Sequence, residues 1–140
     1  MRLQLLIILM CGAFCVASVQ AWDANYDDRL RSLAGPNAVD CGHVIATEKT
    51  GAASACAFEK SKANRAFFVR YDTNSMDSFL HLGLAFAGKG KAFRVTWDSA
   101  GFDKSMAKSG KLYDDNRILV EPCKVPAKLF LDSFHRVSCK

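Results

Sequence analysis

Hydrophobic and polar positions change rhythm twice along this chain. From Leu3 to Val19 apolar side chains follow one another almost without interruption, with Gln4 and Ser18 the clear exceptions. Arg2 precedes the run, and Val19-Gln20-Ala21 closes it with small or compact residues at the positions a signal peptidase reads. A charged start, an apolar middle and a small-residue end predict a secretory signal peptide over 1–21, cut after Ala21. The run is near the lower length limit for a membrane span. It is followed by Trp22, Asp23, Asn25, Asp27 and Asp28 rather than by a basic stop-transfer cluster. Met10 and Phe14 precede Cys11 and Cys15, too bulky for a lipid-modification site. The expected product is a single domain over 22–140 with no integral membrane span, placed outside the cytoplasm (secreted or periplasmic).

Helical spacing comes next. Tyr26, Leu30 and Leu33 predict a short polar helix over Asp23 to Leu33, stopped by Gly35-Pro36-Asn37. Val39 to Ile45 reads as a short extended piece. Thr50 is a plausible N-cap for a helix from Gly51 to Arg65, with Ala52, Ala55, Cys56 and Ala63 on one narrow stripe. Such small residues let a helix approach a sheet closely.

The period then falls to two. Phe67, Val69 and Tyr71 alternate with Phe68, Arg70 and Asp72. Leu80, Leu82, Leu84 and Phe86 alternate with Phe79, His81, Gly83 and Ala85, and Phe93, Val95 and Trp97 with Arg94, Thr96 and Asp98. Each reads as a half-buried strand. Gly88 to Lys91 predicts a hairpin turn. Burial selects the register, because a one-residue slip turns an apolar face to water. Pairing Phe86 with Phe93 and Tyr71 with Leu80 gives three antiparallel strands sharing one apolar face under the alanine-rich helix. Ser99 to Asn116 is a long polar loop, Arg117 to Glu121 a fourth strand, and Leu129 to Cys139 a last hairpin. The predicted class is α+β: an antiparallel meander packed on an Ala-rich helix and stapled by two disulfides.

Composition sharpens this picture. The 140 residues hold 19 basic and 14 acidic side chains and six cysteines, with 50% of positions hydrophobic. That size excludes a multidomain enzyme, and the 24% charged content argues against a disordered chain. Cleavage after Ala21 removes one base and two cysteines, so +5 becomes +4 and six cysteines become four. Cys41, Cys56, Cys123 and Cys139 are spaced too widely for a zinc site or a redox motif built on Cys-x-x-Cys. We expect the local pairs Cys41–Cys56 and Cys123–Cys139, each worth about 3 kcal/mol in the chain-entropy model. No metal and no cofactor is expected.

Candidate chemistry follows from the register. It sets Arg70 opposite His81 and His81 opposite Asp98, a row on the polar face with neighbouring Cβ atoms about 5 Å apart. A carboxylate beside an imidazole suits general acid or base work near neutral pH. Alternating charges are also the ordinary dress of a solvated sheet face, worth little energetically. Arg70, His81 and Arg94 with Phe68 and Phe79 form the candidate binding patch, to which the 99–116 loop adds Lys104, Lys108 and Lys111. The positive charge adds a weak attraction to anionic partners. Most aromatics occupy core phases, with Phe68 and Phe79 the exceptions on the polar face, so no specific nucleic-acid site is expected. The expectation is a non-catalytic extracytoplasmic module that binds or inhibits another macromolecule of unknown identity. The alternative is a small secreted His-dependent hydrolase with ribonuclease-like chemistry, using His81 with His135 and Lys91 or Lys128.

Overall fold

A computed structural model describes residues 25–45 and 48–140. The signal peptide expected over 1–21 lies outside the described residues. The chain folds as α+β around a six-stranded sheet. Helix α1 covers 25–34. Then come β1 (Val39–Val44), α2 (Gly51–Lys62), β2 (Phe67–Asn74), β3 (Phe79–Gly88) and β4 (Lys91–Asp98). A 3-10 turn (Lys104–Lys108) leads to β5 (Lys111–Tyr113) and β6 (Ile118–Pro122), and the pair β7 (Leu129–Leu131) and β8 (Val137–Cys139) ends the chain. The sheet order is β1-β2-β3-β4-β6-β5, with β7 and β8 forming a separate two-stranded sheet. β1 runs parallel to β2, and every other pairing is antiparallel. A parallel pair needs a crossover, and α2 is that connection.

Both expected disulfides form, Cys41–Cys56 and Cys123–Cys139, with Cα atoms 5.5 and 5.9 Å apart. Helix α2 covers Phe67, Val69, Tyr71, Leu84 and Phe86, as the apolar alternation predicts. Its buried stripe is Ala53, Ser54 and Ala57 rather than Ala52, Ala55, Cys56 and Ala63. Cys56 is drawn sideways to Cys41 on edge strand β1, and that turns the neighbouring residues onto the sheet. Thr50 holds the N-cap position but makes no side-chain capping bond. The 99–116 loop is shorter than expected, because the 3-10 turn and β5 occupy much of it.

The largest departure is in register. β2 and β3 pair Tyr71 with Leu82 and Phe67 with Phe86, two residues away from the expected alignment. An even shift keeps every side chain on its face. β3 and β4 pair Leu84 with Arg94 and Phe86 with Ala92, one residue away. The turn is a two-residue one, with Lys89 and Gly90 both at positive φ, and the ladder shifts between Phe86 and Gly88. A bulge of this kind adds one residue to one strand only. Everything in β4 therefore changes face. Val95 and Trp97 leave the α2 side and join Phe68, Ala85, Ile118 and Val120 in a second core under Tyr26, Leu30 and Ala34 of α1. The face expected to be polar and solvated is a core.

Candidate functional site

Where β1 and β2 end and β3 begins, the second core gives way to an ionic cluster. Arg70 and Asp72 are two apart on β2 and share a face. His81 stands opposite Asp72, and His43 opposite Arg70 across the parallel pair. Arg70 grips Asp72 with two bonds, Nε to Oδ1 at 2.8 Å and Nη2 to Oδ2 at 3.1 Å. His81 Nδ1 donates to Asp72 Oδ1 at 2.7 Å, and His43 Nε2 donates to Oδ2 at 2.7 Å. A carboxylate offers about four lone-pair sites, and here four bonds use them. Arg70 Nη2 also lies against the His81 ring, 3.1 Å from Nδ1 and 3.3 Å from Nε2. From α1, Asp27 Oδ1 accepts from Arg70 Nη1 at 3.1 Å.

Burial by itself would raise the Asp72 pKa. The bonds from His81, Arg70 and His43 outweigh it and hold the carboxyl well below the usual carboxylate range. Asp72 is thus ionised at every physiological pH. The Tyr26 hydroxyl is pushed well up by burial, against the opposing pull of Arg70, so it keeps its proton. It donates to the carbonyls of Val95 at 2.8 Å and His81 at 3.2 Å, seating α1 on the sheet. Gly83 makes that seat. A Cβ there would stand 2.6 Å from the Tyr26 hydroxyl and 2.7 Å from Leu30.

The expected row of Arg70, His81 and Asp98 is only partly assembled. Arg70 and His81 meet, as diagonal rather than direct neighbours. Asp98 pairs with Leu80, and Trp97 stands opposite His81, with the two rings stacked 4.6 Å apart. The one-residue slip is the cause. The carboxylate at His81 is Asp72.

The expected patch is likewise divided. Arg70, His81 and Phe68 are buried, and Arg31 of α1 lies over the Phe68 ring. Arg94 is exposed and paired with Glu121 at 3.2 Å, and Phe79 is half exposed. Helix α1 covers the part of the patch formed by Phe68, Arg70 and His81. His135 is exposed in the turn between β7 and β8, and its neighbours Phe134 and Arg136 border Asp72 in one cleft.

Asp72, His43, Asp27 and Tyr26 were missed by sequence reasoning. Two signals pointed to them. Arg70 and Asp72 have the spacing of one strand face. Gly83, a glycine inside a strand, marks a close approach of another element.

The cluster binds protein groups to one another. His81 is only 8% exposed, with its ring between Trp97 and Arg70. Of the two imidazoles only His43 reaches solvent. Among the described residues no group of three His, Cys, Asp or Glu side chains is arranged to hold a metal ion. Exposed apolar side chains collect nearby at the same end of the sheet: Ile45 after β1, and Met76 and Phe79 on the β2–β3 hairpin, exposed by 53%, 103% and 52%. The hairpin is pinned by Ser75 N donating to Ser78 O, and by Phe79 N donating to Ser99 Oγ at 2.9 Å. Compared with known protein families, with curated proteins and with solved structures, the chain matches none.

Proposed function

We propose that the protein is a non-catalytic binding module, exported from the cytoplasm, that docks a macromolecular partner against the sheet end bearing Ile45, Met76 and Phe79. The observation that carries this reading is the pairing of an internally satisfied ionic cluster with a fully exposed Met76 and half-exposed Ile45 and Phe79. The cluster spends its bonds on fixing β1, β2, β3 and α1 to one another, so the end is rigid. A rigid surface loses little conformational freedom on binding. Apolar side chains grouped on a surface mark interaction sites more often than scattered ones do. Two intramolecular disulfides fit an oxidising compartment. Among the described residues no helix is long and apolar enough to cross a membrane.

The test is capture of a partner from the extracytoplasmic fraction of producing cells, with the wild type and the Met76→Lys/Phe79→Lys variant compared. The expected result is a partner retained by the wild type and lost with the double variant. Equal retention by both removes this end as the binding surface.

One observation favours a second reading, His-dependent hydrolysis. Asp72 orients a half-exposed His43 through Nε2, as a carboxylate orients a general base. Turnover of RNA or another ester that His43→Ala abolishes would replace the binding reading with this one.

A further inference from the structure

A groove of about 620 Å³ lies between the first turn of α2 and the turn joining β7 to β8, and Phe134 of that turn also borders Ile45 and Asp72 in a smaller cleft beside it. Phe58, Leu131 and Phe134 line it with apolar surface, and Glu48 and Lys49 line it with charge. Phe134 is 68% exposed and Leu131 46% exposed. A large aromatic in a tight turn is costly to display unless something holds it, and here much does.

The Asp132 carboxylate accepts from the backbone N–H groups of Phe134 at 2.9 Å and Arg136 at 3.0 Å, and from Arg136 Nε at 2.8 Å. The Arg136 guanidinium lies 4.7 Å from the Phe134 ring centre. Behind the turn runs a relay in which each group is used once as donor. Val137 N–H donates to the Tyr71 hydroxyl at 3.2 Å, Tyr71 to Ser54 Oγ at 2.9 Å, and Ser54 to the His135 carbonyl at 2.9 Å. That fixes the turn to α2 and to the sheet. The result is a rigid aromatic knob beside a hollow with apolar walls.

We propose that this face docks a second copy of the chain, the knob of each copy filling the hollow of the other. A two-fold interface uses the same patch twice, so the patch must carry both halves of every contact. This one does, in shape and in charge. Phe134 and the groove are adjacent. Glu48 and Lys49, one of each sign, both line the groove; Glu48 Oε2 accepts from the Ile45 N–H at 3.1 Å, which holds the carboxylate in place, so a two-fold axis can set each Lys49 against Glu48 of the partner subunit. The rim is therefore charge-balanced although the chain carries +5. An acidic foreign partner would call for a basic rim instead. The knob is held in place before association, which lowers the cost of ordering it.

Sedimentation velocity over a range of concentrations, on the exported and oxidised protein, tests the inference. A reversible dimer is expected. Phe134→Ala weakens it by about a hundredfold, because an anchor worth about tenfold is lost twice. Phe134→Asp leaves a monomer with an unchanged near-ultraviolet circular dichroism spectrum. Glu48→Lys and Lys49→Glu each weaken the dimer, and the charge-swapped double variant regains it. A wild type that is monomeric throughout, or a dimer that survives Phe134→Asp, overturns the proposal. A double swap no better than either single change overturns the two-fold pairing. Met76→Lys/Phe79→Lys leaves self-association intact, because neither residue lines the groove, and this separates the proposal from partner binding through the β2–β3 hairpin.

Discussion

The two faces of the central sheet are closed in different ways. On the α2 side, Ala53 and Ala57 bring a helix close to Phe67, Val69, Tyr71, Leu84 and Phe86, and Cys41, Cys123 and Cys139 lie in the same cluster. Both covalent links therefore belong to this side. On the α1 side, Tyr26, Leu30 and Ala34 meet Phe68, Ala85, Val95, Trp97, Ile118 and Val120, and no disulfide is present in that cluster. There the helix is held by the fit of Tyr26 over Gly83 and by the Asp27–Arg70–Asp72 ion cluster. The contrast shows two solutions to one problem, that of burying both faces of a sheet with two short helices. One restricts the unfolded chain with cross-links. The other relies on non-covalent contacts that must all be present together.

The sharpest way to break the contrast is at Arg70. Its removal leaves Asp72 and Asp27 without the guanidinium that joins them. Arg70→Met is expected to cost about 3–5 kcal/mol in urea unfolding, the largest effect of a single change. A loss below about 1 kcal/mol would mean that the ion cluster does not secure the α1 side. On the other face, the Cys41→Ala/Cys56→Ala pair is expected to cost about 3 kcal/mol through loop entropy alone. The α1 core should keep its native aromatic signals in that variant. Loss of the Trp97 near-ultraviolet signal with the disulfide would show that the two faces are not independent.

Gly83→Ala should cost about 1–3 kcal/mol by overpacking, because its Cβ meets both Tyr26 and Leu30. Tyr26→Phe removes the clashing hydroxyl, so the double variant should lose less than the two single changes added together. Simple additivity would place the strain elsewhere.

Acid gives the most specific effect. The Asp72 pKa is lowered on folding. Its contribution is therefore complete above the unfolded-chain value near 3.9 and is lost as pH falls toward the lower folded value. The wild type should lose stability steadily below about pH 4. Asp72→Asn, less stable at neutral pH, should show a flatter acid limb. Parallel limbs in the two proteins would assign the acid sensitivity to other carboxylates.

How much of this was legible depends on the kind of interaction. The α2 face was readable because period-two alternation survives any even change of register, and the disulfides because each closes a short local loop. The α1 face was not. A single extra residue at Ala87, exposed where the β3–β4 ladder shifts, exchanges the two faces of β4. No pattern within β4 announces it, since Phe93, Val95 and Trp97 are equally apolar on either side. The ion cluster was half legible. Arg70 and His81 were identified as neighbours, but their carboxylate was assigned to Asp98, where Asp72 provides it.

The sequence by itself determined the α+β class, the helices and the strands other than β5, the two disulfides and the helix that covers the first apolar face. These follow from local rules: helical period, strand alternation, turn residues and short loop closure. Only the tertiary structure decided which residues stand side by side. The parallel β1–β2 pair, the bulge that turns β4 over, the seat of Tyr26 on Gly83 and the bonding of Asp72 to Arg70, His81 and His43 all join distant parts of the chain. Cross-strand neighbours depend on the running count of residues through every turn, and a count altered by one moves each later side chain to the opposite face.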